Sequence, residues 1–145
     1  MAALILANSA REMNITVNIF FAFWGLCLIR DPDKMSLEDK TAFEKMFTLA
    51  APQGPEGLPL SRMHMAGIGK AMLKEMMEEH DAPELSAFPK AFLKGAQKKG
   101  VNFFACKLSL EVMGFKLEEM LPEVKLLTAA EYLQDALEAD IQLFI

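Results

Sequence analysis

Hydrophobic positions along the 145-residue chain switch between helical spacing and short apolar runs. Residues 2–13 repeat apolar side chains at the three- and four-residue spacing of a helix. Short runs rich in β-branched and aromatic side chains are typical of strands instead. They predict strands at Ile15–Phe21, Val101–Ala105, Val124–Leu127 and Ile141–Ile145.

Helix signals fill the intervals between these strands. The apolar stretch Ala22–Arg30 predicts a short helical turn, and Ser36 with the acidic residues after it predicts the start of a helix that ends near Ala50. Further helical segments are predicted from near Lys70, at Glu84–Lys99 closed by Gly100, at Ser109–Gly114, at Leu117–Leu121, and from Thr128, with Glu131 as its capping-box partner, to about Ala139.

This alternation predicts a single α/β domain over residues 1–145, with a parallel sheet, helices on both faces and right-handed crossovers. In open sheets of this type, ligands and reactive groups lie beyond the carboxyl ends of the strands. The residues that follow the predicted strands are therefore the candidates for function: Ala22–Cys27, Cys106–Leu110 and Thr128.

Composition narrows the class of protein. The chain is 52% hydrophobic and 24% charged, which is typical of a folded globular protein, and its net charge of −5 argues against nucleic-acid binding. The apolar run before Asn8 is too short to span a membrane, and the two cysteines form no CxxC pair. We therefore expect a cytoplasmic protein in a reducing environment, without membrane contact, a disulfide framework or a zinc site.

Cys106 is the residue best placed for chemistry. It follows a predicted buried strand and precedes a helix, where free N–H groups favour an anionic, nucleophilic thiolate. Lys107, Ser109 and Cys27 are candidate supporting residues, although the apolar neighbours of Cys27 also fit a core position. The alternative is that Cys106 is itself an inert buried cysteine.

Other chemistry has little support in the sequence. His64 lies between Met63 and Met65, but with no cysteine nearby a soft-metal site is not expected, and His80 fits a helix C-terminus. A nucleophile elbow, a P-loop and a GxGxxG after a strand are all absent from the sequence. We predict neither a cofactor nor a metal.

Four stretches together resemble the DsrE/DsrF-like sulfurtransferases, including the subgroup sometimes labelled as peroxiredoxin family proteins. The resemblance covers nearly the whole chain in the family's order. The stretches are FFAFWGL at Phe20–Leu26, GPEGLPLSRMHMAGIG at Gly54–Gly69, FFACKLSLEVMGF at Phe103–Phe115 and YLQDALEADIQLFI at Tyr132–Ile145.

The resemblance implies a flavodoxin-like or Rossmann-like fold and a sulfur relay in which Cys106 carries sulfane sulfur as a persulfide. Rhodanese-like or TusA-like proteins would be donor and acceptor, and the relatives usually form oligomers. The apolar segment Met46–Met77 also favours a homo-oligomer. One rival is a binding module without turnover, in which the Met63–Met72 region docks a partner. The other is a peroxidase, although the usual Pro/Thr/Cys/Arg set is absent around Cys106.

The chain departs from the family at its beginning. Family members usually start with a strand ahead of the helix that matches residues 2–13, and that strand lies in the middle of the sheet. We expect that the sequence lacks its true start, or that the sheet is closed differently, for example by a partner chain, because a central gap would leave backbone groups unpaired.

Overall fold

The computed structural model describes residues 2–55, 57 and 90–145. Among these residues the helices are α1 (Ala2–Glu12), α2 (Ala42–Ala50), α3 (Lys90–Lys98), α4 (Lys107–Val112) and α5 (Ala129–Glu138), and the strands are β1 (Asn18–Phe21), β2 (Asn102–Cys106) and β3 (Lys125–Leu127). Short 3-10 segments occupy Phe23–Ile29, Pro32–Lys34 and Leu117–Glu119. The predicted α/β alternation is confirmed, whereas the helix predicted near Lys70 lies outside the described residues.

The three described strands form one parallel sheet in the order β1-β2-β3. Phe20 of β1 stacks on Tyr132 of α5 at 4.5 Å. The next residue, Phe21, points to the opposite face and packs edge-on against the buried Phe103 of β2. Side chains therefore pack on both faces of the sheet, as predicted for a parallel sheet.

The described part of the sheet has no central gap between β1 and β2. β1 and β2 pair directly, from Asn18 opposite Asn102 to Phe21 opposite Ala105. The backbone groups that a gap would leave unpaired are used in this ladder. Helix α1 precedes the first described strand, as the sequence predicted.

Helices α1 and α3 pack closely against each other. Leu4 and Leu93 are buried between them, and Gly95 leaves the space that the contact needs, since a Cβ there would lie 2.7 Å from Oδ1 of Asn8. Nδ2 of Asn8 donates to the carbonyl oxygens of Leu4 and Phe92, at 2.8 and 2.9 Å. This amide joins the two helices through the backbone of each.

The first strand begins later than predicted. The sequence predicted a strand from Ile15, but the N–H of Ile15 donates to the carbonyl of Ala10 and the N–H of Asn14 donates to that of Arg11. With Asn14 at φ 61°, these bonds form the closing motif of α1. Because α1 uses the backbone of residues 14 and 15, β1 starts only at Asn18.

The prediction that Ser36 begins the second helix is wrong. Thr41 is the N-cap of α2, and it forms a complete capping box with Glu44. Oγ of Ser36 accepts instead from the N–H of Glu38, which lies only two residues away, and this makes a local turn. The acidic residues after Ser36 therefore precede the helix.

The prediction of a strand at Ile141–Ile145 is also wrong. These residues have no regular structure, and their apolar side chains are exposed, Phe144 completely. An apolar run gives a preference for extended backbone, but a strand also needs a neighbouring strand to bond with. Within the described sheet this segment pairs with none.

No helix in the described part of the chain is long and apolar enough to cross a membrane.

Candidate functional site

Cys106 lies at the junction between β2 and α4. It is the last residue of the strand and the N-cap of the helix, with φ −64° and ψ 116°. Helix α4 begins at Lys107, two residues earlier than predicted, so the strand passes directly into the helix. The thiol makes no capping hydrogen bond, and the sulfur is not tied to the first turn of α4.

The carboxyl ends of the three strands meet at Cys106. The parallel register pairs Phe21 with Ala105 on one side of β2 and Cys106 with Leu127 on the other. The residues that follow β1 and β3 therefore flank the Cys106 end of the sheet. Thr128, which follows β3, is the N-cap of α5 with Glu131 as its capping-box partner, as predicted.

The two cysteines have different surroundings. Cys106 keeps 7% of its surface exposed, whereas Cys27 is 0% exposed in the hydrophobic core. Burial raises the pKa of the Cys27 thiol, and the nearby Arg30 guanidinium only partly offsets that rise. Cys27 is thus a neutral core thiol, and Cys106, although buried as well, is the more exposed of the two.

Alkylation should separate the two thiols. We expect iodoacetamide to modify Cys106 of the folded protein roughly a hundredfold faster than Cys27, because only a solvent-accessible thiolate reacts. The raised pKa and the burial should keep Cys27 slow even at pH 9.0, its ordinary pKa. Peptide mass spectrometry with time measures both rates, and urea-unfolded protein is the control in which they converge. Equal rates in the folded protein would contradict this assignment.

The two candidate residues after Cys106 differ in exposure. Lys107 is exposed, whereas Ser109, the third residue of α4, is 1% exposed and its Oγ has no hydrogen-bond partner among the described residues. The ammonium group of Lys107 contributes to lowering the pKa of Glu131, after the larger effect of the hydrogen bonds from Thr128. The positive charge of Lys107 therefore acts on the start of α5.

The structure also contains a buried cluster of charged side chains that the sequence reasoning missed. Arg30, Lys40 and Glu119 are 0%, 7% and 1% exposed. The Glu119 carboxylate lies 2.5 Å from Nζ of Lys40 and 3.8 Å from Nη2 of Arg30. We call these three residues the buried ionic cluster; within the described part of the chain it holds two cations and one carboxylate.

Uncharged groups complete the surroundings of the buried ionic cluster. Nζ of Lys40 donates to Oγ1 of Thr48 at 3.1 Å, and the Arg30 guanidinium lies 4.1 Å from the ring centroid of Phe115. Burial lowers the pKa of Arg30, while Glu119 acts in the opposite direction. The ring and the carboxylate together stabilise a guanidinium that has left water.

The cluster joins two loops. The N–H of Asp31 donates to the carbonyl of Glu119 at 2.9 Å, and the N–H of Leu121 donates to that of Ile29 at 3.0 Å. One loop follows β1 and the other follows α4. The sequence carried no local signal for this contact, since Glu119 is far from Arg30 and Lys40 in the chain.

The remaining candidates can be placed only in part. Within residues 2–55, 57 and 90–145, no three His, Cys, Asp or Glu side chains are grouped so that they could hold a metal ion. His64, His80 and the Met63–Met72 region lie outside the described residues.

Comparisons with known proteins found a matching family and similar relatives. The family described as DsrE/DsrF/DrsH-like matches residues 1–144. The uncharacterized protein YrkE of Bacillus subtilis is 34% identical over 145 residues, which cover 100% of this chain and 88% of YrkE. The sulfur carrier protein DsrE2 of Allochromatium vinosum is 25% identical over 154 residues, which cover 97% of this chain and 86% of DsrE2.

Proposed function

The chain belongs to the DsrE/DsrF/DrsH-like family, and we propose that it is a sulfur carrier that holds sulfane sulfur as a persulfide on Cys106. The observation that carries the proposal is the place of Cys106, at a strand-to-helix junction where the carboxyl ends of three parallel strands meet. Similarity to a protein named as a sulfur carrier supports it independently.

The proposed reaction is thiol exchange. The Cys106 thiolate attacks the terminal sulfur of a donor persulfide, R–S–S–H, and a new sulfur–sulfur bond forms as the donor's own bond breaks. The donor leaves as the thiolate R–S⁻ with the bonding electron pair, and Cys106 becomes Cys–S–S–H. Delivery repeats the step on an acceptor thiolate. Each step balances without an external oxidant or reductant, and one cysteine is enough.

The neighbours of Cys106 suit this exchange. Ser109 lies three residues after Cys106, which is the spacing between a helix N-cap and its capping-box partner. Its buried hydroxyl has no hydrogen-bond partner among the described residues, so it is free to donate to a sulfur anion on Cys106. The exposed Lys107 adds positive charge next to Cys106 in the chain. We assign both as supporting residues and leave Cys27 to the core.

The proposed partners are rhodanese-like or TusA-like sulfur proteins of the cytoplasm, and the proposed working form is a homo-oligomer of single-domain chains, as the resemblance implies. Sedimentation at micromolar concentration measures whether the chain forms a homo-oligomer. An oligomer with a mass that is a multiple of 16.2 kDa is expected, and a clean monomer would reject it.

Sulfur uptake and delivery test the function as a whole. Incubation with glutathione persulfide should add one sulfur, about 32 Da, to each reduced chain, and later addition of an acceptor thiol should remove it. Intact-protein mass spectrometry follows both steps. If no sulfur is taken up from several persulfide donors, the carrier proposal fails and a binding module without turnover becomes the better account.

A further inference from the structure

The last five residues of the sequence, which we call the 141–145 segment, expose their apolar side chains to solvent. Ile141, Leu143 and Ile145 are each more than 60% exposed, and the ring of Phe144 is completely exposed. Single exposed apolar side chains are ordinary at a protein surface, but a contiguous group of them marks a contact with another molecule. The 141–145 segment is therefore a candidate contact.

The 141–145 segment has the composition of a strand. β-Branched or aromatic side chains occupy three of its five positions, at Ile141, Phe144 and Ile145. Helix α5 ends at Glu138, and the next residue, Ala139, is already extended, with φ −82° and ψ 137°. The segment pairs with no strand of the described sheet, so its backbone groups lack the partners that a strand needs.

The complementary groups lie on the outer edge of β1, by which we mean the edge away from β2. Within the described sheet no strand lies on that side of β1. The carbonyl of Val17 accepts from the N–H of Asn102 in β2. Bonding sides alternate along a strand, so Asn18 and Phe20 direct their backbone groups away from β2. An edge of this kind is a template for an added strand.

Helix α5 brings the 141–145 segment close to this edge. Nδ2 of Asn18 donates to both carboxylate oxygens of Asp135, at 3.0 and 2.9 Å. The last turn of α5 therefore lies beside the start of β1, and the chain leaves the helix there. Leu133 and Leu137, one turn apart on α5, are also exposed and add an apolar row on the helix that precedes the segment.

The partner that fits these two features is a second copy of the chain, because one chain carries both the unpaired segment and the unpaired edge. A segment that leaves its own molecule beside the receiving edge reaches the same edge of a copy related by a twofold axis. The copy's segment then makes the same contact in return. Exchange of an identical element in this way is a low-cost route to a dimer.

We propose that two copies of the chain exchange their 141–145 segments, each segment adding a strand to the outer edge of β1 in the other copy. This inference deepens the proposed function, since it rests on the homo-oligomer included there and names the contact that forms it. The contact makes no use of the Cys106 thiol.

Phe144→Glu tests the exchange. The charge is tolerated in the monomer, where Phe144 is completely exposed, and opposes its burial between two copies. Phe43→Glu is the matched control, because Phe43 is 83% exposed on α2. Sedimentation over a range of concentrations measures the dissociation constant of the oligomer. We expect Phe144→Glu to raise it roughly tenfold or more and Phe43→Glu to leave it close to the wild-type value.

Hydrogen exchange of the wild-type protein tests whether the contact is a strand shared between copies. At concentrations where the oligomer predominates, alternate amides of the 141–145 segment should exchange slowly, because they bond to β1 of the other copy. On dilution to the monomer they should exchange as fast as in an unfolded peptide. Protection that persists on dilution means that the segment pairs within its own chain, and it overturns the inference.

The remaining outcomes separate this inference from the proposed function. If wild type is an oligomer and Phe144→Glu associates as tightly, or if Phe43→Glu weakens association to the same extent, the exchange is overturned while the homo-oligomer stands. A monomeric wild type overturns both. Sulfur uptake from glutathione persulfide is expected in wild type and in both variants, and its failure in an oligomeric wild type rejects the carrier chemistry alone.

Discussion

Replacing Glu119 by Gln should lower the free energy of unfolding by roughly 3–5 kcal/mol, a large part of the stability of a single domain. Glu119 supplies the carboxylate of the buried ionic cluster, 2.5 Å from Nζ of Lys40 and 3.8 Å from Nη2 of Arg30. Glutamine keeps the shape of the side chain but removes its charge. Two buried cations would then face each other without the carboxylate that stabilises them.

Urea unfolding monitored by circular dichroism measures the effect. Glu118→Gln is the matched control, since Glu118 is the neighbouring residue and is exposed, and it should change stability by no more than about 0.5 kcal/mol. Adding Lys40→Met to Glu119→Gln should recover part of the loss because it removes one of the uncompensated charges. Equal stability of the Glu119 and Glu118 variants would show that the carboxylate of Glu119 does not stabilise the cluster.

Replacing Cys106 by Ser should abolish sulfur delivery and leave the fold unchanged. Serine is nearly isosteric with cysteine, and the side chain lies at a strand end that keeps some exposure, so only a small change in stability is expected. The hydroxyl cannot form a persulfide, because carriage needs a sulfur nucleophile. The rate of sulfur transfer from glutathione persulfide to an acceptor thiol should fall to the rate without protein.

Cys27→Ala is the control for this loss. It removes the other cysteine without placing a hydroxyl in the core, where Cys27 is 0% exposed. We expect delivery at close to the wild-type rate, together with a modest loss of stability from the small cavity. If Cys27→Ala stops delivery and Cys106→Ser does not, the roles assigned to the two thiols are reversed.

The features that the sequence predicted correctly depend on neighbours in the chain. Thr128 with Glu131 at the start of α5 and Gly100 after α3 are helix signals within a few residues, and both are present. The position of Cys106 was predictable for the same reason: a short apolar run ends there and a helical pattern begins. The alternation of such segments then indicated a parallel sheet.

The failures came where two local signals competed or where a distant partner decides. Ser36 was predicted as the cap of α2, but the cap is Thr41, which has a glutamate three residues later. The apolar pattern of Ile141–Ile145 says nothing about whether a strand lies beside it.

The buried ionic cluster is a stronger case of the same limit. Arg30 and Glu119 are 89 positions apart and occur in segments read as apolar or as a turn. Burial of a charge depends on folding that brings the opposite charge to it, and no local pattern records that.

Peptide mapping of wild-type protein after one round of loading tests the central claim most directly. The reduced protein is given glutathione persulfide, persulfides are trapped by alkylation, and the protein is digested and analysed by mass spectrometry. We predict one added sulfur, about 32 Da, on the peptide that contains Cys106, and none on the peptide that contains Cys27. Sulfur on Cys27 alone, or on neither peptide of the folded protein, would contradict the assignment of Cys106 as the sulfur-carrying residue.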